Sequence, residues 1–196
     1  MKVWRVLGRG QFQPPPADWR EALARRLGQR PRRIGSWAEL ALAGALACLD
    51  EAGETTLPAS ALLSLSSLSG PETVLLGSVQ NLASELPMPI AFLQSQPGQV
   101  LPVLAQHLRW SGNGRCLTTR DPVDALRLAC LEADPAGGLL LGWVDEASGG
   151  KSLWLRAAAT ASAERTPNRE ASGIAELMDS PGREFQFDRQ GRLLVA

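Results

Sequence analysis

Five segments have the apolar patterning of β-strands. Apolar and polar residues alternate along residues 2–7, which predicts a half-buried first strand. Residues 61–67 form a second apolar strand, and residues 115–118 form a third. The continuous apolar run at 137–144 is typical of a central strand that is buried on both faces. A short connection leads from this run to residues 151–159, which we therefore expect to be its antiparallel neighbour.

Segments with helical spacing lie between these strands, at 17–28, 36–52, 69–84, 99–110 and 121–133. The segment 36–52 is apolar almost all round, so it is predicted to be a buried helix rather than an amphipathic surface helix. The connection at 86–99 is predicted to be irregular. A succession in which helices separate the strands favours a parallel α/β architecture.

Capping signals mark several of the predicted helix ends. Asp121 is a predicted N-cap, followed by Pro122 at the first helical position. Gly53 stands where a C′ glycine belongs after helix 36–52. Capping boxes, in which a cap serine is followed three residues later by glutamate, are predicted at Ser36 with Glu39 and at Ser69 with Glu72.

These elements predict an α/β fold with a mixed five-stranded sheet, helices on both faces and a late antiparallel strand pair. Residues 160–182 are polar and weakly patterned, and the chain ends in a small hairpin that turns at 188–191. We expect one domain over residues 1–196, with 160–196 as its weakly patterned tail.

Composition narrows the class of protein. The chain has 196 residues, 44% hydrophobic and 20% charged, as in a soluble globular protein. Helical segments such as 36–49 are shorter than the roughly 20 apolar residues that span a bilayer, and the N-terminus has no apolar signal region. The three cysteines have no metal-ligand spacing. We therefore expect a cytoplasmic protein with buried thiols, no membrane insertion, no metal site and no cofactor.

Charge is distributed unevenly although the formal net charge is zero. Residues 1–33 contain nine Lys and Arg against Asp18 and Glu21, which leaves a balance of +7. This basic segment is either a solvated helix face or a surface that attracts an acidic partner. Nucleic acid is not an expected partner, because no aromatic residues are interleaved in helical or RNP-like spacing and the total charge is neutral.

Residues 112–133, GNGRCLTTRDPVDALRLACLEA, predict a strand that runs directly into a helix. In α/β enzymes such a corner often presents a nucleophile, because the helix start favours negative charge. Here the corner is Thr119-Arg120-Asp121. Cys116 lies three residues earlier, about 10 Å away on the other side of the strand, and is expected to be a buried structural thiol.

Other groups near the corner also have non-catalytic interpretations. Threonine needs a general base to act as a nucleophile, and no histidine is close to Thr119 in sequence. His107, the single histidine, is expected to be a surface or interface residue. We expect Arg115 and Arg120 to pair with Asp121 or Asp124, or with a carboxylate of a partner.

Three segments in order resemble the N-terminal half of a β-ketoacyl synthase, a condensing enzyme of the thiolase fold. They are RRIGSWAELALAGALACLDEAG, MPIAFLQSQPGQVLPVLAQHLRWSGNG and PVDALRLACLEADPAGGLLLGWVDE. The resemblance covers roughly residues 30–158 and implies a truncated ketosynthase-like domain with a thiolase-like N-terminal half.

The resemblance also implies that the catalytic groups are missing. Active synthases end the strand in a sequence like Thr-Ala-Cys-Ala-Ser-Gly, and anchoring on Ala125-Leu126 places Thr119 at the cysteine position. Condensation needs two further basic side chains, His-His or His-Asn, from the C-terminal half of that fold. This sequence has one histidine and ends at Ala196.

A non-catalytic, chain-length-factor-like partner of a β-ketoacyl synthase is the function that this resemblance implies. Such a subunit shapes the acyl tunnel of the heterodimer in polyketide, aryl polyene or fatty-acid-like biosynthesis, and acyl carrier protein is a further expected partner. The alternatives are a stand-alone acyl-binding or regulatory α/β domain, and an acyltransferase that uses Cys116 or Thr119. The predicted partner-interface residues are Arg115, Cys116, Leu117, Thr118, Phe92, Gln96, Gln99 and His107.

Overall fold

The computed structural model describes residues 2–86, 88–161, 166–179 and 182–196. Its strands form a single mixed sheet in the spatial order β3-β2-β4-β5-β1-β7-β8-β6. The strands are β1 (Val3–Phe12), β2 (Leu62–Ser67), β3 (Gly114–Thr118), β4 (Leu139–Asp145), β5 (Lys151–Thr160), β6 (Arg169–Glu170), β7 (Glu184–Phe187) and β8 (Leu193–Val195).

Helices connect most of these strands and pack on the sheet. They are α1 (Trp19–Leu27), α2 (Ser36–Glu51), α3 (Glu72–Ala83), α4 (Pro89–Gln94), α5 (Val100–His107), α6 (Pro122–Glu132) and α7 (Ala175–Met178). A short 3₁₀ turn, Pro97–Gln99, precedes α5. None of the helices in the described ranges is both long enough and apolar enough to cross a bilayer.

The first five strands confirm the predicted mixed α/β sheet. β3, β2 and β4 are parallel neighbours, whereas β5 pairs antiparallel with both β4 and β1. The late antiparallel pair is therefore β4 with β5, as the short connection between them predicted.

The prediction of five strands is too low, because the tail extends the sheet. β7 pairs with β1 through Trp4 and Phe185, and β8 and β6 follow on the outer side. The terminal hairpin is present between β7 and β8, with Gly191 N–H donating to Asp188 O. These strands have only two to four residues each, too few to produce a visible alternation in the sequence.

Both faces of the sheet are covered, as predicted. On one face, α1, α2 and α5 enclose a core that includes Trp37, Trp110 and Trp154. On the other face, α6 and α7 pack with Trp4, Trp143 and the tail strands. The sheet is thus the middle layer of three.

Helix α2 lies unusually close to the sheet, which explains why it is apolar all round. A Cβ atom on Gly10 of β1 would lie 2.2 Å from the Gly44 carbonyl oxygen, and one on Gly44 would lie 2.2 Å from Ser152 Oγ. A side chain on Gly10 would collide with the α2 backbone, and one on Gly44 would collide with the side chains of Ser152 and Trp154, so the close packing requires glycine at both positions. The helix therefore behaves as a core element rather than a surface one.

Both predicted capping boxes are wrong. Gly35 precedes α2 without a side-chain cap, and Pro71 occupies the cap position of α3. Ser36 Oγ instead donates to Glu146, and Glu39 pairs with Arg20 at 3.0 Å. A carboxylate that is distant in sequence, Glu146, accepts from Thr73 N at the start of α3 instead.

The Asp121 cap is confirmed, since its Oδ1 accepts a hydrogen bond from Val123 N at 2.8 Å. Two element bounds differ from the prediction. β1 continues to Phe12 rather than ending near residue 7, because β5 pairs along its whole length. The connection 86–99 contains α4 as well as irregular chain.

Candidate partner interface

Strand β3, which carries four of the predicted interface residues, lies at the edge of the sheet. It pairs with β2 alone, in the register Leu65 to Cys116. Just outside β3, Asn113 O accepts a hydrogen bond from Leu63 N of β2, and Thr119 N donates to Ser67 O at the end of β2. In a parallel strand the peptide groups alternate in direction, so the backbone amides of Cys116 and Thr118 point away from β2. An edge of this kind is open to another strand.

Side chains of β3 reach both faces of the sheet. Leu117 packs against the α6 core, and Cys116 packs against the α2 core, where its Sγ lies 3.4 Å from Pro97 O. Thr118 is exposed at the end of the strand. Cys116 is half-buried rather than fully buried, which corrects the expectation of a buried thiol.

Arg115 does not pair with Asp121 or Asp124 as expected. Its guanidinium contacts Glu132 of α6, and its Nε donates to Ser64 Oγ at 3.1 Å. Asp124 pairs with Arg127 instead, one helical turn further along. The direction of the β3 side chain therefore selects a carboxylate at the end of α6, on the same face of the sheet, over those nearer in sequence.

The corner at Thr119 is closed by its own backbone and side chains. Asp121 N donates to Thr119 Oγ1 at 3.3 Å, and the same hydroxyl lies 3.3 Å from Asp121 O. Asp121 caps α6, and Pro122 removes a donor from the first turn. The chain itself thus occupies the Val123 N–H at this helix start.

His107 lies far from this corner. It ends α5 near the beginning of β3, whereas Thr119 follows the end of β3, a strand that spans about 16 Å. Burial lowers the pKa of the His107 imidazole. His107 is therefore separated from the Thr119 corner by the length of β3.

The thiols are protonated at neutral pH. Burial raises the pKa of Cys116 to about 11 and raises the pKa values of Cys48 and Cys130 further. A thiolate is the nucleophilic form of cysteine, so none of the three is activated. Within the described ranges, no three His, Cys, Asp or Glu side chains converge in a way that would hold a metal ion.

An exposed apolar surface, which the sequence reading did not detect, lies on α3 and α4. Neither helix has a buried residue, and the two helices pack against each other. Leu82 and Phe92 are 68% and 62% exposed. A patch of this kind is typical of a binding surface. The exposed apolar residues of this α3–α4 surface and its flanks are Leu68, Leu75, Leu76, Val79, Leu82, Leu86, Met88, Ile90, Phe92 and Leu93.

The α3–α4 surface is connected to the β3 edge by the turn before α5. Pro97 in this turn contacts Cys116, and Gln96 and Gln99 are exposed on either side of it. Phe92 belongs to α4, whose Gln94 side chain donates to Arg33 O at 2.7 Å. Seven of the eight predicted residues thus lie along one side of the molecule.

Two carboxylates at the carboxyl end of β4 bind the chain segments on this side of the molecule. The sequence analysis did not predict this role. Asp145 Oδ1 accepts hydrogen bonds from Leu68 N at 2.9 Å and from Ser69 N at 3.2 Å. Glu146 accepts from Ser36 Oγ and, at 3.0 Å, from Thr73 N at the start of α3. The sequence feature that could have predicted this role is the acidic pair Asp145-Glu146 at the end of a buried strand. In α/β folds, functional groups lie at the carboxyl ends of strands.

Two cavities lie beside these carboxylates. The strand-end cavity, of about 210 Å³, lies at the ends of β2 and β3 and is lined by Ser66, Ser67, Ser69, Cys116 and Thr118, among others. The helix cavity, of about 290 Å³, lies among α2, α3, α4 and α5. Trp37 lines both.

Most of the basic N-terminal segment is engaged in ion pairs. Arg5, Arg9, Arg20, Arg25 and Arg26 each pair with a carboxylate of the same chain. Arg30, Arg32 and Arg33 are exposed and have no such pair among the described residues. The surface available to an acidic partner is therefore smaller than the charge count suggests.

Solved structures with the same architecture identify the fold. The ishigamide ketosynthase/chain length factor matches with a TM-score of 0.54 and 17% identity, over 74% of this chain and 47% of that one. A type II polyketide synthase structure, an acyl-carrier protein in complex with its ketosynthase bound to the hexaketide, matches with a TM-score of 0.60 and 12% identity, over 81% and 63%.

A third match is a ketosynthase in complex with its chain length factor from Xenorhabdus doucetiae, with a TM-score of 0.54 and 16% identity, over 88% and 85% of the two chains. The chain thus spans about half to two thirds of the first two structures and more of the third. No protein-family model and no curated protein matches the sequence. The chain has the thiolase-like fold of ketosynthase and chain length factor structures.

Proposed function

We propose that this chain is a non-catalytic, chain-length-factor-like partner of a β-ketoacyl synthase and shapes that enzyme's acyl tunnel in polyketide, aryl polyene or fatty-acid-like biosynthesis. The observation that carries the proposal is the open edge of β3 beside the exposed α3–α4 surface. An unpaired strand edge and an apolar patch are both unfavourable in water. A partner that covers this side would bury the unpaired strand edge and the apolar patch together.

The closed corner supports a non-catalytic role. Thr119 replaces the cysteine of active synthases, and its hydroxyl is held by the Asp121 backbone. Cys116 has a raised pKa, which disfavours the alternative of a cysteine-dependent acyltransferase.

The names of the similar structures support the class of partner. Two of them are ketosynthase and chain length factor structures, and one includes an acyl-carrier protein. We further propose that residues 1–196 act as one ketosynthase-like domain, and that Arg30, Arg32 and Arg33 can contact an acidic acyl carrier protein.

Co-expression with each ketosynthase encoded beside this chain tests the proposal, with native mass spectrometry as the readout. We expect a stoichiometric heterodimer with one of them. If the purified chain stays folded and monomeric in the presence of every such ketosynthase, the partner role is wrong.

Matched variants locate the interface. Thr118→Pro removes an outward-facing N–H from the edge of β3 and should abolish the heterodimer without unfolding the chain, whereas Thr118→Val keeps that N–H. Leu82→Glu should weaken the heterodimer through the α3–α4 surface. Leu131→Glu is its control, because Leu131 is 73% exposed but lies on α6.

The two alternatives predict different outcomes. Acylation of Cys116 by acyl-CoA with turnover would assign a cysteine-dependent acyltransferase. Acyl-chain binding by the isolated chain, combined with no ketosynthase complex, would assign a stand-alone acyl-binding domain.

A further inference from the structure

A further cavity lies on the α6 face of the sheet, between α6 and the turn that joins β7 to β8. Its volume is about 500 Å³. Small-molecule sites in proteins measure about 300–1,000 Å³. The helix cavity lies among α2, α3, α4 and α5, whereas this α6–hairpin cavity is bounded by α6, the start of β1 and the hairpin turn. None of its lining residues belongs to the predicted partner interface or to the α3–α4 surface.

The apolar wall of the α6–hairpin cavity includes two exposed leucines. Apart from the α3–α4 surface and its flanks, the large apolar side chains that are exposed in the described ranges are those of Leu128 and Leu131 on α6. Both line this cavity, together with the aromatic residues Trp4 and Phe187. An apolar wall of this kind is typical of a site that binds the apolar part of a ligand.

Three cationic side chains from separate elements line the same cavity. They are Lys2 before β1, Arg127 of α6 and Arg189 of the hairpin turn. Lys2 and Arg189 are exposed and have no ion pair among the described residues. Arg127 pairs with Asp124 at 3.5 Å on the surface of α6, where such a pair contributes little. All three cations therefore remain available to an anion.

The single carboxylate in the lining, Asp188, is already neutralised by the hairpin turn. Its Oδ1 accepts hydrogen bonds from Gln190 N and Arg192 N, both at 2.9 Å. Its Oδ2 accepts from Arg192 Nε at 2.7 Å. Asp188 consequently does not compensate the cations of the cavity, whose electrostatic field favours a negatively charged ligand.

The hairpin turn also positions one of these cations. Gly191 has a φ of 82°, and a Cβ atom on it would lie 2.4 Å from Arg127 Nη1. The guanidinium of Arg127 therefore lies directly against the turn, in space that only glycine leaves open. Contact with the turn holds this guanidinium at the wall of the cavity before any ligand binds.

We infer that the α6–hairpin cavity binds a small organic anion of the aromatic carboxylate class. The carboxylate lies among Lys2, Arg127 and Arg189, and the ring lies against the apolar wall. An aromatic ring suits this cavity because aromatic side chains prefer ring partners and a guanidinium stacks on ring faces. The inference goes beyond the proposed function, since this site shares no residue with the proposed ketosynthase interface.

The test measures the binding of 2-naphthoate to the full chain by isothermal titration calorimetry. We expect saturable binding at one site per chain. The neutral amide 2-naphthamide has the same ring system and should bind about tenfold more weakly or less, because it lacks the charge. Equal affinity for the two compounds, or no saturable binding of 2-naphthoate, would overturn the inference.

Charge-removing variants locate the anion. Arg127→Gln and Arg189→Gln should each weaken 2-naphthoate binding about tenfold or more. Arg32→Gln is the matched control, because Arg32 is equally exposed and cationic but does not line the cavity. Unchanged binding in both cavity variants, or an equal loss in Arg32→Gln, would overturn the inference. Thermal melts followed by circular dichroism verify that each variant is folded.

Two leucine variants separate this inference from the proposed function. Leu131→Glu places a carboxylate at the cavity wall and should abolish 2-naphthoate binding while the heterodimer with the ketosynthase persists. Leu82→Glu should weaken the heterodimer and leave 2-naphthoate binding unchanged. Loss of 2-naphthoate binding in Leu82→Glu alone would place the anion on the α3–α4 surface and overturn the inference. A missing heterodimer in the wild type would contradict only the proposed function.

Discussion

Glu146, after β4, accepts a hydrogen bond from the backbone N–H of Thr73, 73 residues earlier in the chain, at 3.0 Å. The other carboxylate oxygen accepts from Ser36 Oγ at the start of α2. One side chain therefore serves the first turns of two helices, where negative charge is favourable. Since α3 has no buried residue, this hydrogen bond is one of the contacts that attach the α3–α4 surface to the rest of the fold.

Glu146→Gln should loosen α3, because a neutral amide oxygen accepts the Thr73 N–H hydrogen bond more weakly than a carboxylate oxygen does, and because the substitution removes the negative charge from the helix start. A hydrogen bond to a charged group contributes about 1.5–3 kcal/mol, so amide exchange in α3 should accelerate about tenfold or more. Hydrogen–deuterium exchange by mass spectrometry measures this. Glu176→Gln is the control, since Glu176 accepts from Ser172 N at 2.7 Å in the tail and does not contact α3. Equal exchange in α3 for both variants would contradict the role of Glu146.

Gly10→Ala should destabilise the fold, because the new Cβ would lie 2.2 Å from the Gly44 carbonyl oxygen and force α2 away from β1. We expect a loss of about 1–3 kcal/mol in the free energy of unfolding, as for an overpacked core. Gly77→Ala on α3 has no heavy atom within 4 Å of the new Cβ and should instead add about 0.5–1 kcal/mol. Urea denaturation measures whether each substitution lowers or raises the free energy of unfolding. An unchanged value for Gly10→Ala would show that α2 can move away from β1 without loss of stability.

Cys116 should react slowly with iodoacetamide at neutral pH. Burial raises its pKa to about 11, so the thiolate fraction should rise about tenfold per pH unit up to that value. Intact-mass measurements over a pH series follow the reaction, and Cys116→Ser identifies the site. Rapid labelling at pH 7 that is lost in Cys116→Ser would contradict the raised pKa and favour the acyltransferase alternative.

Acidification should destabilise the protein in part through His107. Burial lowers its pKa below the usual 6.5, so the unfolded chain binds the proton first. The stability from the neutral imidazole is therefore complete above about pH 6.5 and is lost as the pH falls through the lower folded-state pKa. The difference in melting temperature between the wild type and His107→Gln should change in that window. A constant difference from neutral to acidic pH would show that His107 is not the group responsible.

Local patterns in the sequence were sufficient to predict several elements of the fold. Asp121 followed by Pro122 predicted the start of α6, and the apolar character of α2 predicted its burial. The short turn after β4 predicted the antiparallel β5. Each of these features depends on residues that are close together in the chain.

Features that depend on distant residues were missed or wrong. Ser36 and Ser69 lost their predicted capping roles because Glu146 and Asp145 reach them from the end of β4. Arg115 pairs with Glu132 at the end of α6 instead of with the aspartates nearer in sequence. The tail strands were undetected, since their hydrogen bonds come from β1 rather than from any pattern of their own.

The candidate interface likewise has features that the sequence predicted and features that it did not. The sequence predicted a strand at residues 115–118, and the family resemblance predicted that residues of this strand contact a partner. The sequence does not show that β3 has a neighbour on one side only, nor that the apolar residues of α3 and α4 face outward.

The sequence by itself determined the order of helices and strands, the buried central helix and the absence of a cysteine at the corner of β3 and α6. The tertiary structure decided which strand forms the edge, which carboxylate binds the start of α3 and which residues line the two cavities. The physical reason is that hydrophobic periodicity and capping act over a few residues. Strand pairing, ion pairs and cavity walls join residues that only the complete packing brings into contact.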